Sequence, residues 1–541
     1  VVSRMQRPEG SRDGCSELEA VLGHLELLAR IAGRRAPRLW LDPLPEHVTL
    51  SDLRERYGEP DASALLCVTG ELDDPSRQAR MRFELNLTEL GNVALVGPAS
   101  SGVEEVVRAM LVSLAQAHSS AGLWIYGVEA SGDALTTLLT LPHVGGVVSL
   151  ADEGAVWSLL RMLERELDLR KGSSVQDVCR MPVVVCALVG PEALLEADPE
   201  VEDRLVALTR EGPAQAIHFV VAVRSVSALH MRLRTNFGMV VPMALNDESD
   251  YLSILGSLEG LGAPKGARRG IVRWERRLLE FQGAQVCAED EDEETVVACM
   301  SHGMRSACDA TALPVPRLPE HVLWEDLAQA MGDSRLPVGF GRREVMPMSV
   351  ELSSLEAMLV AGNDGDSLMR HVRGVHEGLS LAGVAHVALD APGILGVAGD
   401  ADVLVGKDQV EHFLLSAEPI GNGLRVVLVV GVVRTLSVLG EHAAQVLRDL
   451  IGTRSAATGL AVVVVSEGWR IASVYEDWFR SLGSQPYGVW VGSGFADQTV
   501  LRYAPPLPRV RGQQMAMDGY MVERGVARAV RMIEGRGEDE R

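Results

Sequence analysis

Residues 93–104 read VALVGPASSGVE, a short apolar run followed by a glycine-rich turn and the start of a helical pattern. Four consecutive apolar residues bounded by turn residues are typical of a strand that is buried on both faces of a sheet. The turn has the Gly-x4-Gly spacing of a loop that wraps phosphate groups between a strand and a helix. The stretch therefore predicts an α/β unit with a phosphate loop before its first core helix.

The residues after this turn differ from those of a working phosphate loop, which continues with Lys for the phosphate charge and Ser or Thr for Mg²⁺. Val103 and Glu104 stand at these two positions. A carboxylate about 5 Å from a phosphate costs roughly 3 kcal/mol at an effective dielectric of about 20, and the loss of Lys removes a comparable attraction. We therefore expect a vestigial nucleotide site formed by Gly97, Ser100, Ser101, Gly102, Val103 and Glu104. The alternatives are that Glu104 holds Mg²⁺ directly and that the two serines hold a phosphate.

An internal repeat extends this unit to the rest of the chain. The pentapeptide LPEHV at residues 44–48 recurs at 318–322, and Asp-Leu follows both copies at the same distance. Two copies at a domain-sized spacing indicate a duplicated domain and not a solenoid. Short apolar runs alternate with helical patterns after each copy, which predicts two α/β domains with mainly parallel sheets covered by helices.

The second copy has a more altered turn, GNDGDSLM, beginning at residue 362. It contains no Lys and two acids, so Gly362 and Gly365 are its remaining phosphate-loop features. In a working ATPase of this type, a further strand ends in an acid that positions Mg²⁺ and the attacking water. In this chain the corresponding strands are followed by Gly190 in the first copy and Gly431 in the second. Loss of Lys, hydroxyl and acid predicts that neither copy hydrolyses ATP, and we expect no catalytic residue, no metal site and no cofactor.

Composition limits the class of protein. The chain is 47% hydrophobic with a formal net charge of −23, and its seven cysteines form no CxxC pair. These features indicate a globular protein of a reducing compartment without a disulfide framework or a zinc site, and the charge weighs against nucleic-acid binding. Because no apolar stretch reaches the roughly 18 residues of a membrane span, we expect a cytoplasmic protein that reaches a membrane through a partner.

Changes in composition suggest the domain boundaries. Acids at 289–294 predict a solvated linker that a protease cuts first, with a docking site for a basic partner as the alternative. An amphipathic pattern before Trp40 predicts a leading helix. We therefore divide the chain into a leading helical segment at 1–38, a first domain at 39–287, an acidic linker at 288–312, a second domain at 313–533 and a tail at 534–541.

Other side chains could serve a site or only the fold. Glu129 and Asp390 end strands near the predicted loops, where each could face a vestigial site or cap a helix. His143 could contact a ligand or hold a turn. The aromatic group Tyr475, Trp478 and Phe479 could belong to the core or line a groove that receives an amphipathic helix of a peptide substrate.

Several segments resemble one known family. They are LWLDPLPEHVTLSDL (39–53), NVALVGPASSG (92–102), LTLPHVGGVVSL (139–150), AIHFVVAVRS (216–225), LPVGFGRREVMPMSVEL (336–352) and the stretch at 475–513, whose counterpart forms closing strands. On these residues the chain resembles the FtsK/SpoIIIE-type ATPases of type VII secretion, the EccC family, and in particular its separately encoded soluble half with degenerate phosphate loops.

The resemblance implies two tandem RecA-like P-loop NTPase domains that dock beneath a membrane-anchored EccC-type motor subunit at the inner membrane. It also implies recognition of secreted helical-hairpin substrates through a C-terminal signal, regulation of that motor, and a hexameric assembly. ATP and Mg²⁺ enter only through the family, and Val240 stands where the family has a trans-acting arginine. The alternative functions are an ATPase with variant loops and an FtsK-like DNA translocase, which would require basic pore loops that the sequence does not show.

Overall fold

A computed structural model describes residues 16–34, 41–130, 134–332, 334–343, 345–397, 400–416, 423–454, 460–507 and 515–536 of the chain. The first α/β domain contains two sheets, and helices pack on both faces of the larger one. Its strands are β1 (Leu66–Asp74), β2 (Ala79–Asn86), β3 (Val93–Val96), β4 (Leu123–Glu129), β5 (Val144–Ser149), β6 (Val183–Val189), β7 (Ile217–Val223), β8 (Met239–Pro242), β9 (Arg269–Trp274) and β10 (Arg277–Gly283). The helices up to this point are α1 (Glu17–Ile31), α2 (Leu50–Tyr57), α3 (Leu87–Leu90), α4 (Val103–Ala117), α5 (Glu153–Lys171), α6 (Val175–Val178), α7 (Glu192–Ala197), α8 (Pro199–Glu211), α9 (Met231–Arg234) and α10 (Glu248–Leu255).

The larger sheet of this domain is parallel and has the strand order β5-β4-β6-β7-β3-β8. Alternate residues of β3 point to opposite faces, so that Val93 and Leu95 join the core around α4 while Ala94 and Val96 join the core on the other face. Both faces of β3 are therefore buried, as its continuous apolar sequence predicts.

The smaller sheet is antiparallel, with the order β2-β1-β10-β9. Phe83 of β2 and Phe281 of β10 pack in the same core as α4, with their ring centroids 4.8 Å apart. The helix that follows the phosphate loop is thus buried between two sheets. No local pattern in the sequence predicted this sheet, because its pairing strands stand at opposite ends of the domain.

The second domain contains one ten-stranded sheet in place of two. Its strands are β11 (Arg335–Gly341), β12 (Met346–Glu351), β13 (Ala357–Gly362), β14 (His386–Asp390), β15 (Val403–Val405), β16 (Val426–Val429), β17 (Ala461–Glu467), β18 (Tyr487–Val491), β19 (Asp518–Glu523) and β20 (Val526–Met532). The remaining helices are α11 (Glu293–Ala307), α12 (Trp324–Leu327), α13 (Gly365–Leu381), α14 (Lys407–Leu415), α15 (Val432–Val438), α16 (Glu441–Asp449), α17 (Gly468–Ile471) and α18 (Asp477–Leu482).

The strand order of this sheet is β12-β11-β20-β19-β18-β13-β17-β16-β14-β15. The six strands from β18 to β15 are parallel and repeat the order of the large sheet in the first domain. The antiparallel strands join them through the β18–β19 pair. The closing strands are β19 and β20, which follow the stretch at 475–513. That stretch contributes β18 and α18, while its residues 508–513 lie outside the described part.

The repeated LPEHV segments close each domain. A parallel bridge joins Thr49 to Gln285 after β10, and a second joins Val322 to Ile533 after β20. The imidazole of His321 also lies 2.6 Å from Glu534, the first residue of the predicted tail, which is buried. The repeat thus ties the start of each domain to its last strand.

The segment predicted as a solvated linker contains an ordered helix, α11. Asp292 caps this helix by accepting a hydrogen bond from the Thr295 N–H at 3.1 Å, and Val297 is fully buried against the first domain. Glu293 pairs with Arg108 at 2.7 Å. Residues 293–307 are therefore a packed helix and not the solvated linker that the sequence predicted, because Asp292 caps the helix and Glu293 makes an ion pair. The division into domains at 288–312 remains a prediction.

The chain after α11 runs along the edge of the first domain before it enters the second. Ala312 donates a backbone hydrogen bond to Pro142 at 2.9 Å, and Val315 donates one to Gly145 at 3.1 Å. Farther on, Arg343 of the second domain pairs with Glu200 of α8 at 2.6 Å, and its guanidinium lies 3.9 Å from the ring centroid of Trp157. None of the helices in the described residues has the length and apolar character that a membrane span requires.

Candidate functional site

The first predicted loop lies between β3 and α4 at the carboxyl edge of the parallel sheet. The Gly97 N–H donates to the Val223 carbonyl of β7 at 2.9 Å, which holds the start of the loop on the sheet. Residues 99–101 form one short 3₁₀ turn, and Gly102 adopts a left-handed conformation with φ of 70° directly before α4. The strand–loop–helix order that the sequence predicts is therefore present.

The loop is closed on itself. The Ser101 hydroxyl donates to the Pro98 carbonyl at 2.6 Å, and its side chain is buried. This hydroxyl lies so close to Gly97 that a side chain on Gly97 would collide with it. Ser100, by contrast, is exposed. The Ser101 hydroxyl is therefore already hydrogen-bonded inside the loop. A hydroxyl that binds phosphate would have to be free of this bond.

Val103 stands at the position of the phosphate-binding lysine and is only 3% exposed. It packs in the core with Val106 and Val107 of the same helix. Glu104 follows it in the first turn of α4 and is half-buried. A side chain at position 103 therefore points into apolar packing, and a charged group there would lack a partner.

Arg268 covers the beginning of α4. Its backbone N–H donates to the Ser101 carbonyl at 2.7 Å, and its guanidinium pairs with Glu105 of the first helical turn. A Cβ on Gly102 would lie 2.7 Å from the Arg268 Cγ. The guanidinium also lies 2.9 Å from the Nδ1 of His47 in the LPEHV segment. An internal arginine–glutamate pair thus stands at the helix N-terminus, where a nucleotide phosphate would bind in a working loop.

Sequence reasoning missed Arg268, because nothing in the local pattern at 97–104 indicates a residue that follows β8 and α10. Its left-handed φ of 59° is unusual for a residue with a side chain and marks a specific backbone position. Glu105, an acid in the first turn of α4, has its arginine partner at this position.

The second loop is shorter than the first. β13 ends at Gly362, and α13 already begins at Gly365. Asp364 caps the helix by accepting from the Ser367 N–H at 3.2 Å, and its hydrogen bond with the Ser367 hydroxyl lowers the pKa of this carboxyl. Leu368, at the counterpart of the lysine position, is fully buried. The carboxylate of Asp364 therefore occupies the helix N-terminus that a phosphate would need.

The acids at the strand ends have partners within the chain. Glu129 accepts from the Leu135 N–H at 2.6 Å, and Asp390 accepts from the Ile394 and Leu395 N–H groups at 2.9 and 2.8 Å. Both therefore hold the turns that follow their strands. Glu192 accepts from the Arg224 N–H at 2.6 Å. Among the residues with a described placement, no cluster of three or more His, Cys, Asp or Glu side chains is arranged to hold a metal ion.

His143 of the LPHVGG segment holds a turn, as one of its two interpretations stated. Its Nε2 lies 2.9 Å from the His118 carbonyl, and the imidazole is buried. Burial lowers the pKa of His143, so that the ring is held in its neutral form inside the fold.

The three aromatic residues of the proposed groove do not share one surface. Trp478 is 6% exposed and packs in the core of the second domain, where its indole N–H donates to Glu476 at 2.8 Å. Phe479 packs beside it with ring centroids 6.1 Å apart, whereas Tyr475 is 80% exposed. Of the two interpretations of this group, the core one describes Trp478 and Phe479, because helix α18 turns Trp478 toward the sheet, while Tyr475 alone is open to a peptide.

Comparison with known proteins agrees with the described architecture. Residues 73–255 match the FtsK/SpoIIIE family. The ESX secretion system protein EccC of Geobacillus thermodenitrificans is 22% identical over 432 residues, which cover 75% of this chain and 29% of that protein. The ESX-4 secretion system protein EccC4 of Mycobacterium tuberculosis is 24% identical over 367 residues, which cover 64% of this chain and 28% of the relative. The chain thus spans less than a third of these relatives.

Two solved structures have the same fold. EssC (ATPases 2 and 3) from Geobacillus thermodenitrificans aligns with a TM-score of 0.71 and 19% identity over 92% of this chain and all of that one. Thermomonospora curvata EccC (ATPases 2 and 3) in complex with a signal sequence peptide aligns with a TM-score of 0.65 and 19% identity, over 92% and 97% of the two chains. The chain therefore contains an FtsK/SpoIIIE domain at residues 73–255 within a fold of two tandem RecA-like domains, and it is similar to EccC and EssC proteins of type VII secretion.

Proposed function

We propose that this chain is a component of a type VII secretion system that recognises secreted substrates and regulates a membrane-anchored EccC-type motor without hydrolysing ATP itself. The observation that carries the proposal is the closure of both helix N-termini by the chain's own side chains, Arg268 with Glu105 in the first domain and Asp364 in the second. In this proposal the protein works in the cytoplasm, at the face of an inner-membrane complex, and does not bind nucleic acid.

The energy needed to reopen the first loop argues against ATP binding there. The Ser101 hydroxyl would have to leave the Pro98 carbonyl, which costs about 1 kcal/mol for one hydrogen bond. Arg268 would have to leave Glu105, and no lysine would replace Val103 beside the phosphates. Several unfavourable steps would thus be needed before any phosphate contact forms.

Substrate recognition is supported by the kind of protein that shares this fold. The Thermomonospora curvata EccC structure that aligns with this chain is a complex with a signal sequence peptide. By analogy, we infer that this chain also binds a signal peptide. Such a peptide site does not depend on a loop that binds nucleotide. The second domain offers Tyr475 as an exposed aromatic anchor, and aromatic anchors are common in sites that receive helical peptides.

Nucleotide titration tests the inactive state. Calorimetry of the full chain with MgATP should show no binding up to millimolar concentrations, and a coupled phosphate-release assay should show no turnover. Arg268→Ala provides a matched variant in which the first loop is no longer covered, and it should still not bind because Val103 remains. Micromolar binding by the unaltered chain would overturn the proposal and favour an ATPase with variant loops.

Peptide binding tests the recognition role separately. The full chain is titrated with a fluorescent C-terminal signal peptide of a secreted protein encoded beside it, and with a scrambled peptide as the control. We expect saturable binding of the first peptide only, without any effect of MgATP. Tyr475→Ala should weaken that binding about tenfold, a change of about 1.4 kcal/mol, while Tyr487→Ala in the same domain serves as the control. Failure of the native signal peptide to bind would overturn the recognition role.

A further inference from the structure

The leading helix α1 exposes a continuous apolar stripe. None of its residues is buried, and Leu18, Leu25 and Leu28 are 68%, 56% and 48% exposed. The helix is well formed at its start, because Ser16 and Glu19 make a capping box. A helix of 15 residues is nevertheless marginal in water without packing on one face. We therefore expect the stripe to pack against the surface of a partner.

The spacing of the stripe is that of a helix pair. Leu18, Val21, Leu25, Leu28 and Ala32 follow one another at alternating intervals of three and four residues, the repeat that keeps an apolar seam facing a second helix. Leu22 and Ala29 widen the seam on one side. Another copy of this helix carries the same repeat, so its apolar seam can pack against this one.

The charges at the two ends of α1 favour one orientation of such a pair. Glu17 and Glu19 lie in the first turn, Arg30 lies in the last turn, and Arg34 follows just after the helix. In an antiparallel pair the acids of one copy meet the arginines of the other, whereas a parallel pair places like charges together.

Side-chain size favours the same arrangement. When Leu25 lies opposite its own copy in an antiparallel pair, Leu18 faces Ala32 and Val21 faces Ala29. Large side chains thus meet small ones toward the two ends of the seam, while Leu22 faces Leu28 and Leu25 faces its own copy at the centre.

From the stripe, its spacing and the charge polarity, we propose that α1 binds α1 of a second copy of this chain in an antiparallel pair. The pair joins two copies through a contact outside the two α/β domains. It is independent of nucleotide and of the substrate-recognition role proposed above.

A matched pair of leucine variants tests the seam in the full chain. Leu25 and Leu27 have similar exposures of 56% and 51%, but they point to opposite sides of the helix, because residues two apart do not share a face. Leu25→Glu should weaken dimerisation at least tenfold, since it sets two carboxylates against each other, while Leu27→Glu should leave it unchanged. Sedimentation velocity over a concentration series measures both constants, and circular dichroism confirms that the variants fold.

Charge reversal tests the orientation. Glu17→Lys or Arg34→Glu alone should weaken an antiparallel dimer severalfold, and the two substitutions together in one chain should restore it. A protein that stays monomeric at high micromolar concentration, equal losses from Leu25→Glu and Leu27→Glu, or no restoration by the double charge reversal would each overturn the proposal.

Discussion

The two domains share one strand order but close their phosphate loops in different ways. The first keeps a full turn at residues 97–102 and covers the helix with Arg268, which follows β8 and α10 in the sequence. The second removes most of the turn and caps the helix with Asp364, one residue before the helix begins. The closure of the first loop therefore depends on tertiary structure, whereas the closure of the second depends on a neighbouring residue in the sequence.

The difference shows that the same parallel sheet can carry two loops that are closed by different contacts. Both helix N-termini need negative charge or hydrogen-bond acceptors near their free N–H groups. Glu105 with Arg268 meets this need in one domain, and Asp364 meets it in the other. Substitutions at residues that close the loops should therefore change the stability of the two domains by different amounts. Substitutions at corresponding core positions should change it by similar amounts.

The largest effect should come from restoring the lysine that the loops lack. Val103 and Leu368 are 3% and 0% exposed in their cores, and a lysine there would bury an unpaired charge. We expect Val103→Lys and Leu368→Lys each to lower the free energy of unfolding of its own domain by about 3 kcal/mol or more. Hydrogen exchange followed by mass spectrometry measures the two domains separately.

Ala99→Lys is the matched control, because Ala99 is exposed on the same loop as Val103. Its effect should stay within about 0.5 kcal/mol. A stable Val103→Lys protein that gains MgATP binding would contradict the buried position of residue 103 and show that the loop can open at little cost.

Acidification should weaken the second domain through His371. Its imidazole is buried and its Nδ1 lies 3.1 Å from the Ile533 carbonyl, and burial lowers its pKa to about 4. Between pH 6.5 and this value the unfolded chain takes up a proton that the folded domain does not, so stability falls as pH falls. The loss from pH 6.5 to pH 5 should be about 1.5 kcal/mol.

The measurement is urea unfolding of the second domain at several pH values, read by the same domain-resolved hydrogen exchange. His371→Gln should flatten the dependence of stability on pH below 6.5. His442→Gln, at an exposed histidine of the same domain, should leave it unaltered. If His371→Gln retains the full slope, the acid sensitivity lies in other groups of the domain.

The two loop glycines give the next largest contrast. Gly102 has φ of 70° and faces Arg268, whereas Gly365 has an ordinary conformation and open space where a Cβ would lie. Gly102→Ala should destabilise the first domain by about 1 to 3 kcal/mol through strain and the clash with Arg268. Gly365→Ala should be neutral or stabilise the second domain by about 0.5 kcal/mol.

Thermal unfolding of both variants, with domain-resolved detection, measures this contrast. Equal destabilisation by the two alanines would mean that the second helix also needs a glycine at its start. That result would remove the structural difference between the two loops.

The sequence predicted the features that local pattern determines. The apolar run at 93–96 and the glycine-rich turn after it correctly predicted a buried strand, a loop and a helix, and the LPEHV repeat correctly predicted a second α/β domain. These signals are short-range, since each reports burial or backbone conformation within a few residues.

The features that were missed depend on distant residues. Arg268 reaches the loop because it directly precedes β9, which pairs with β10, while β10 pairs with β1, and this long-range pairing has no local signature. The sequence left open whether Trp478 belongs to the core or to a groove, because the direction of a side chain on α18 depends on how the helix packs on the sheet. The acids at 289–294 were read as a solvated run, whereas two of them serve the start of α11, whose apolar side fits the first domain.

The smallest expected effects are those of the two LPEHV histidines, which differ in whether they connect to a loop. His47 lies 2.9 Å from Arg268, the residue that closes the first loop, whereas His321 contacts Glu534, which also pairs with Arg370 at 3.3 Å. The histidine side chains are 48% and 68% exposed, so His47→Ala and His321→Ala should each cost less than about 1 kcal/mol. In an Arg268→Ala background the cost of His47→Ala should shrink, because the two residues act on one contact, while that of His321→Ala should not change. Unfolding of the four variants in urea measures this coupling, and equal costs of His47→Ala in both backgrounds would show that the repeated histidine serves domain closure alone and has no part in holding the loop shut.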